Sequence, residues 1–100
     1  MAKPIPGKII KLIQKKSYRL SETALNRAQA DCIDDYDIQE VFKSGYLWKK
    51  EIDEKKKAYD RYKYIIIGPG IHRSSVYTVG KIIKDKNGKT YYFIEIHRGS

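Results

Sequence analysis

Arg61, Lys63, Glu95 and His97 are the residues whose types and spacing most suggest chemistry. Each pair is separated by one residue, and in an extended strand side chains two apart share a face. Cations at that spacing can follow successive phosphates of a single strand, and neighbouring rings give unstacked bases a surface. In "RYKYIII" the cations alternate with Tyr62, Tyr64 and Ile66. In "YYFIEIH" Tyr91 and Phe93 fall on the side of Glu95 and His97, and Tyr91 is counted as a ring for RNA. Tyr92, Ile94 and Ile96 are expected on the face beneath the helices, and Arg61, Lys63, Glu95 and His97 on the face that the helices leave uncovered. A bulge in either strand moves half of these residues to the opposite face.

His72-Arg73 forms a second candidate, directly after Gly68-Pro69-Gly70. The glycines allow close backbone approach to a phosphate, and both side chains join the RNA-binding set; a plain turn with a surface histidine is the simpler reading of the same residues. Lys55-Lys56-Lys57 and Lys84, Lys86 and Lys89 fall at expected hairpin tips, as solvated ends or as an extension of a phosphate footprint. Trp48 reads as core or rim packing. Cys32 is the only cysteine, which excludes an internal disulfide and a cysteine-rich metal site, and its helical spacing predicts a small buried hydrophobe. No His/Asp grouping has metal-ligand spacing, so neither metal nor cofactor is expected.

The charge distribution supports a phosphate-rich partner. The chain has 100 residues, enough for one domain, and a net charge of +9. Residues 1–45 carry a balance of +2 and residues 46–100 a balance of +7, and seven of the nine tyrosines lie in the second part. No apolar run approaches the length of a membrane span, and the N-terminal stretch has no apolar signal region. A cytoplasmic location is the simplest expectation.

The elements that must position these residues are helices first and strands afterwards. Pro6 and the stripe Ile9, Ile10 and Ile13 predict a helix over 6–15. Ser21 can cap a second over 22–32, with Ala24, Leu25, Ala28 and Cys32 as its buried stripe. Asp34 and Asp37 make a carboxylate capping box for a third, with Ile38, Val41 and Phe42 inward and Gly45 at its end. Strands are expected at 46–51, 59–67, 74–84 and 89–97, with Asn87-Gly88 as a type I′ hairpin turn. The fold class is α+β: N-terminal helices (about 6–45) on one face of a mostly antiparallel sheet of about four strands (about 46–98), in a single domain over 1–100.

The order "YRLSETALNRA", "CIDDYDIQEVFKSG" and a sheet ending in "YYFIEIH" resembles small bacterial domains related to RelE-like and MqsR-like toxins. Those domains usually read Tyr-Arg-Phe/Leu-Ser/Thr-x-His-Ala-x-x-Arg at the second helix. The resemblance covers about residues 6–97 and implies a RelE-like fold. Thr23 stands where the family has histidine, Val76 where a second histidine is common, Lys49 where an acid is common, and His97 at the terminal tyrosine position. Arg27 is retained, and Asp31 four residues on can pair with it. The resemblance implies a toxin-like RNA-binding protein, with an antitoxin-like protein as partner. If it is a metal-independent endoribonuclease, the 2′-hydroxyl attacks the phosphate. His97 would then act as base or acid with Glu95 as its partner, and Arg61 and Lys63 would hold the phosphoryl oxygens. The alternative is a non-catalytic relative that kept the fold and binds RNA or a protein.

Overall fold

A computed structural model describes residues 3–55, 59–70 and 74–99. His72 and Arg73, like Lys56 and Lys57, lie outside the described residues. The element order is α1 (Gly7–Gln14), β1 (Tyr18–Leu20), α2 (Glu22–Ala30), α3 (Asp35–Ser44), β2 (Tyr46–Ile52), β3 (Tyr62–Pro69), β4 (Ser75–Asp85) and β5 (Gly88–Arg98).

Local chemistry sets the helix ends. Ser21 Oγ accepts from Ala24 N at 3.0 Å and opens α2. The capping box of α3 is complete, with Asp37 N donating to Asp34 Oδ1 at 3.1 Å and Asp34 N to Asp37 Oδ2 at 3.3 Å. α2 stops at Ala30, two residues earlier than its apolar spacing predicts. There Cys32 turns into the left-handed region at φ 55°, its N–H bonds Gln29 O, and Ile33 N bonds Ala28 O at 2.8 Å. That pair of bonds is a Schellman ending, which swings Cys32 out to solvent and buries Ile33 instead. Leu25 also departs from the expected stripe and is 47% exposed.

The sheet has five strands in the order β1-β5-β4-β3-β2. β1 runs parallel to β5 and the other neighbours are antiparallel. The sequence reading lacked β1, because three residues are too few to show a period. The β4–β5 turn also differs from the expected type I′ form. Asp85 pairs with Gly88 across Lys86-Asn87, Gly88 alone takes positive φ at 107°, and Asp85 Oδ1 accepts from Asn87 N. This is a turn closed by a glycine in the left-handed region.

The three helices pack on one sheet face, as expected, and Ile96 lies beneath them as expected, but the residues of β5 that precede Glu95 do not keep the expected face. Val79 pairs with Glu95 and Gly80 with Phe93, which leaves Ile94 as the extra residue of a bulge. The bulge shifts the alternation by one. Tyr91 and Phe93 on one side of it and Ile96 on the other all point beneath the helices, each 1% exposed or less. They join Tyr64, Ile66, Val76 and Ile82 from the sheet and Ile9, Ala28, Val41 and Phe42 from the helices in one core. The Tyr91, Phe93 and Phe42 rings meet edge to face at centroid separations of 5.1–5.9 Å.

Candidate nucleic-acid interface

Residues directly opposite each other in a sheet share a face, so the pairing defines what the uncovered side presents. Beyond the helices' reach, Lys81 lies opposite Tyr92 and Tyr92 beside Arg19 of β1. Tyr64 pairs with Gly80, so the next residues, Lys63 and Lys81, are neighbours on the open face. Arg19, Lys63, Lys81 and Tyr92 line one pocket of about 590 Å³. The Arg19 guanidinium lies 5.6 Å from the centroid of the Tyr92 ring, within cation–π range. Lys81 is only 7% exposed, and its Nζ lies 3.4 Å from Oδ2 of the equally buried Asp53.

A second row crosses the open face further along the strands. Tyr46 faces Ile67, Ile67 faces Tyr77, and Tyr77 faces His97. The His97 and Tyr77 rings stack with centroids 4.8 Å apart and planes 29° apart. Between the two rows, Lys49, Ile65, Val79 and Glu95 are paired in turn. The open face therefore carries cations at one end and a stacked imidazole–phenol pair at the other.

The site residues proposed from sequence divide between these places. Lys63 lies on the open face as expected. Arg61 does not share its alternation, because it precedes β3 with φ 72°, its carbonyl accepting from Asp53 N at 2.8 Å. Tyr91 is a correction: the bulge turns it inward, it is fully buried, and it offers RNA no ring. Glu95 and His97 do point outward. Lys63 and Ile67 are four residues apart along β3, which at about 3.3 Å per residue puts the Lys63 row about 13 Å from the His97 row. A proton-transfer group and a cation serving one phosphate must both lie within hydrogen-bond reach of it, so His97 and Lys63 do not form one catalytic set. Trp48 is 58% exposed at a bulge of β2 rather than packed in the core or its rim.

What His97 and Glu95 share is a cleft of about 320 Å³ with Thr23 and Arg27 of α2. α2 runs along the part of β5 that β1 leaves free. Ser21 Oγ donates to Ile94 O at 3.0 Å, and Arg98 N donates to Asp31 Oδ2 at 2.9 Å. Arg27 Nε reaches the same Asp31 oxygen at 2.9 Å, the four-residue pair expected from sequence. The Arg98 backbone and then the Arg27 side chain hold the Asp31 carboxyl below its ordinary range.

Arg98 escaped the sequence reading. Its guanidinium donates to Ser74 Oγ at 2.8 Å, to the Asp31 and Cys32 carbonyls, and to Asp37 Oδ2 at 3.3 Å. Asp37 is fully buried, so one arginine ties the end of β5 to the start of α3. The signal available in sequence was Asp37, a capping carboxylate whose oxygen can accept from a cation as well as from the Asp34 N–H.

Among the described residues no three His, Cys, Asp or Glu side chains group as a metal site, and no helix is long and apolar enough to cross a membrane. The fold is an α+β sandwich of three helices on a five-stranded mixed sheet. No family model matches the chain, and neither a curated protein nor a solved structure matches it.

Proposed function

We propose that the protein is a toxin-like RNA-binding protein that holds single-stranded RNA on the open face of its sheet. The observation that carries this reading is the grouping of Arg19, Lys63 and Lys81 beside Tyr92 on the face that the helices leave uncovered. Cations there attract the phosphate backbone, and Tyr92, Tyr77 and His97 offer rings to unstacked bases. The separation of His97 from Lys63 favours binding without cleavage. Titration of a labelled oligoribonucleotide at several salt concentrations tests the proposal. Affinity should fall steeply with salt, and Arg19→Gln with Lys63→Met should lower the log–log slope by about 1.4, at about 0.7 per lost phosphate contact. A wild-type protein with no salt-dependent RNA affinity would refute it.

A second reading, a metal-independent endoribonuclease held by an antitoxin-like protein, rests on the cleft shared by Arg27, Glu95 and His97. In that cleft His97 would move the proton and Arg27, rather than Arg61, would meet the phosphoryl oxygens. Tightly induced expression in bacteria, with growth and messenger RNA followed together, separates the readings. Growth arrest with RNA loss that His97→Ala abolishes would establish cleavage, and intact RNA would leave the binding protein.

A further inference from the structure

The pocket around Lys81 has features that a plain phosphate-binding surface does not need. Its lining carries Arg19, Lys55, Lys63 and Lys81 against Asp53 and Glu54, a formal balance of +2. Placing the Lys81 ammonium where it is 93% covered has a desolvation cost. Its contact with Asp53 at 3.4 Å is longer than the 2.7–2.9 Å of a tight charge-assisted bond, so that contact offsets the cost only in part. Beside Lys81 in the lining, Tyr92, Ile83 and Ile94 form a half-buried and largely apolar wall. The volume, about 590 Å³, lies within the range of small-molecule sites.

An inorganic anion would use the cations and make no use of the apolar wall or of Glu54. A bare aromatic ligand would use the wall and leave an excess of positive charge. A ligand with an anion at one end, hydrogen-bond donors and a flat ring uses all three. The ring can lie along Tyr92, exocyclic amino or ribose hydroxyl groups can donate to Glu54, and the phosphate can meet Lys63, Lys81 and Arg19.

We infer that this pocket takes one nucleotide, its phosphate on Lys63, Lys81 and Arg19 and its base against Tyr92. The inference rests on the RNA-binding reading and assigns the pocket to a single flipped-out nucleotide of the bound strand. The remaining contacts to the strand are then made elsewhere on the open face, where Lys49 and the Tyr77–His97 stack lie.

The test uses the full chain and five probes: AMP, UMP, their two nucleosides and inorganic phosphate, each by calorimetric titration and by competition against a labelled oligoribonucleotide. A nucleoside monophosphate should bind and displace the oligonucleotide, at least about tenfold better than either the nucleoside or inorganic phosphate. Lys63→Met and Arg19→Gln, both at the rim, should each weaken monophosphate binding about tenfold while leaving the melting temperature close to wild type. Lys81→Met should abolish it; since that change removes the buried cation beside Asp53, the rim variants carry the test if it fails to fold. Monophosphates that bind no better than phosphate, or rim variants with unchanged affinity, would overturn the pocket. RNA binding without competition by monophosphates would sink the pocket and leave the RNA-binding reading standing. Monophosphate binding without RNA affinity would support the pocket as a site for free nucleotides and sink the RNA-binding reading.

Discussion

Tyr91 occupies the space that a side chain on Gly80 would need. A Cβ built on Gly80 lies 2.5 Å from the ring carbons Cε2 and Cζ of Tyr91, and Phe42 and Phe93 hold that ring edge-on. The ring has nowhere to retreat, so Gly80→Ala should destabilise the fold by about 1–3 kcal/mol in urea unfolding. Tyr91 Oη is buried with no hydrogen-bond partner among the described residues, so Tyr91→Phe should be neutral or stabilising by up to about 1 kcal/mol. The double variant should cost less than the sum of the singles, because the two changes meet in one space.

Two exposed residues close helices in a conformation suited to glycine. Lys16 at φ 59° ends α1 as Cys32 at φ 55° ends α2, with Ser17 N bonding Leu12 O at 2.8 Å. Lys16→Gly and Cys32→Gly should each raise stability by about 0.5–1 kcal/mol, seen as a rise of a few degrees in Tm. Lys15→Gly, one residue earlier at φ −79°, should lower Tm and serves as the control.

Alkaline pH should unfold the protein through its tyrosines. Burial and the Asp60 carboxylate push Tyr64 up to about 12, and burial also raises Tyr18 and Tyr91. The folded state keeps these phenols protonated where the unfolded chain releases its protons near pH 10. Stability is therefore full below about pH 10 and falls as pH rises through the folded values. Absorbance at 295 nm should show an early group of tyrosines ionising reversibly and the rest only with unfolding. A single transition near pH 10 in the still-folded protein would contradict this.

The two arginines that meet Asp31 should behave differently. The Arg27 side chain is 57% exposed, and Arg27→Ala should change Tm little, as exposed pairs contribute little. Arg98→Met removes a donor to the fully buried Asp37 carboxylate together with the bonds to Ser74 and to the Asp31 and Cys32 carbonyls, and should cost more, about 1–3 kcal/mol. Urea denaturation of the two variants side by side checks the contrast.

Local chemistry was the legible part of this fold. Ser21, Asp34 and Asp37 act within three residues of themselves, so spacing alone locates the ends of α2 and α3. The four longer strands carry enough alternation to be seen. What escaped depends on partners distant in sequence. β1 is a strand only because β5 offers it an edge, and the bulge at Ile94 exists only in relation to β4. One unpaired residue there sent Tyr91 to the core and set the faces of the whole strand. The candidate site was legible in its outward cations and not in its grouping. Lys63 and His97 both face outward, but only the register shows that they lie in separate rows. Lys81 and Arg19 become pocket residues only through their pairing around Tyr92.

The sheet is asymmetric in how it could grow. One margin offers little to join: β1 is three residues long, and beyond it α2 takes up the β5 backbone through Ser21 and Asp31. The other margin is β2, where among the described residues Lys3 bridges to Leu47, and Trp48 and Ile52 stand 58% and 69% exposed. A molecule with one joinable margin can at most form a closed pair, since each copy has nothing left to offer a third. Fibrous stacking of strands, which needs two open sides, is thereby denied to the native state. Lys49 and Lys50 on that margin resist even the pair, because a second β2 would bring its own lysines against them.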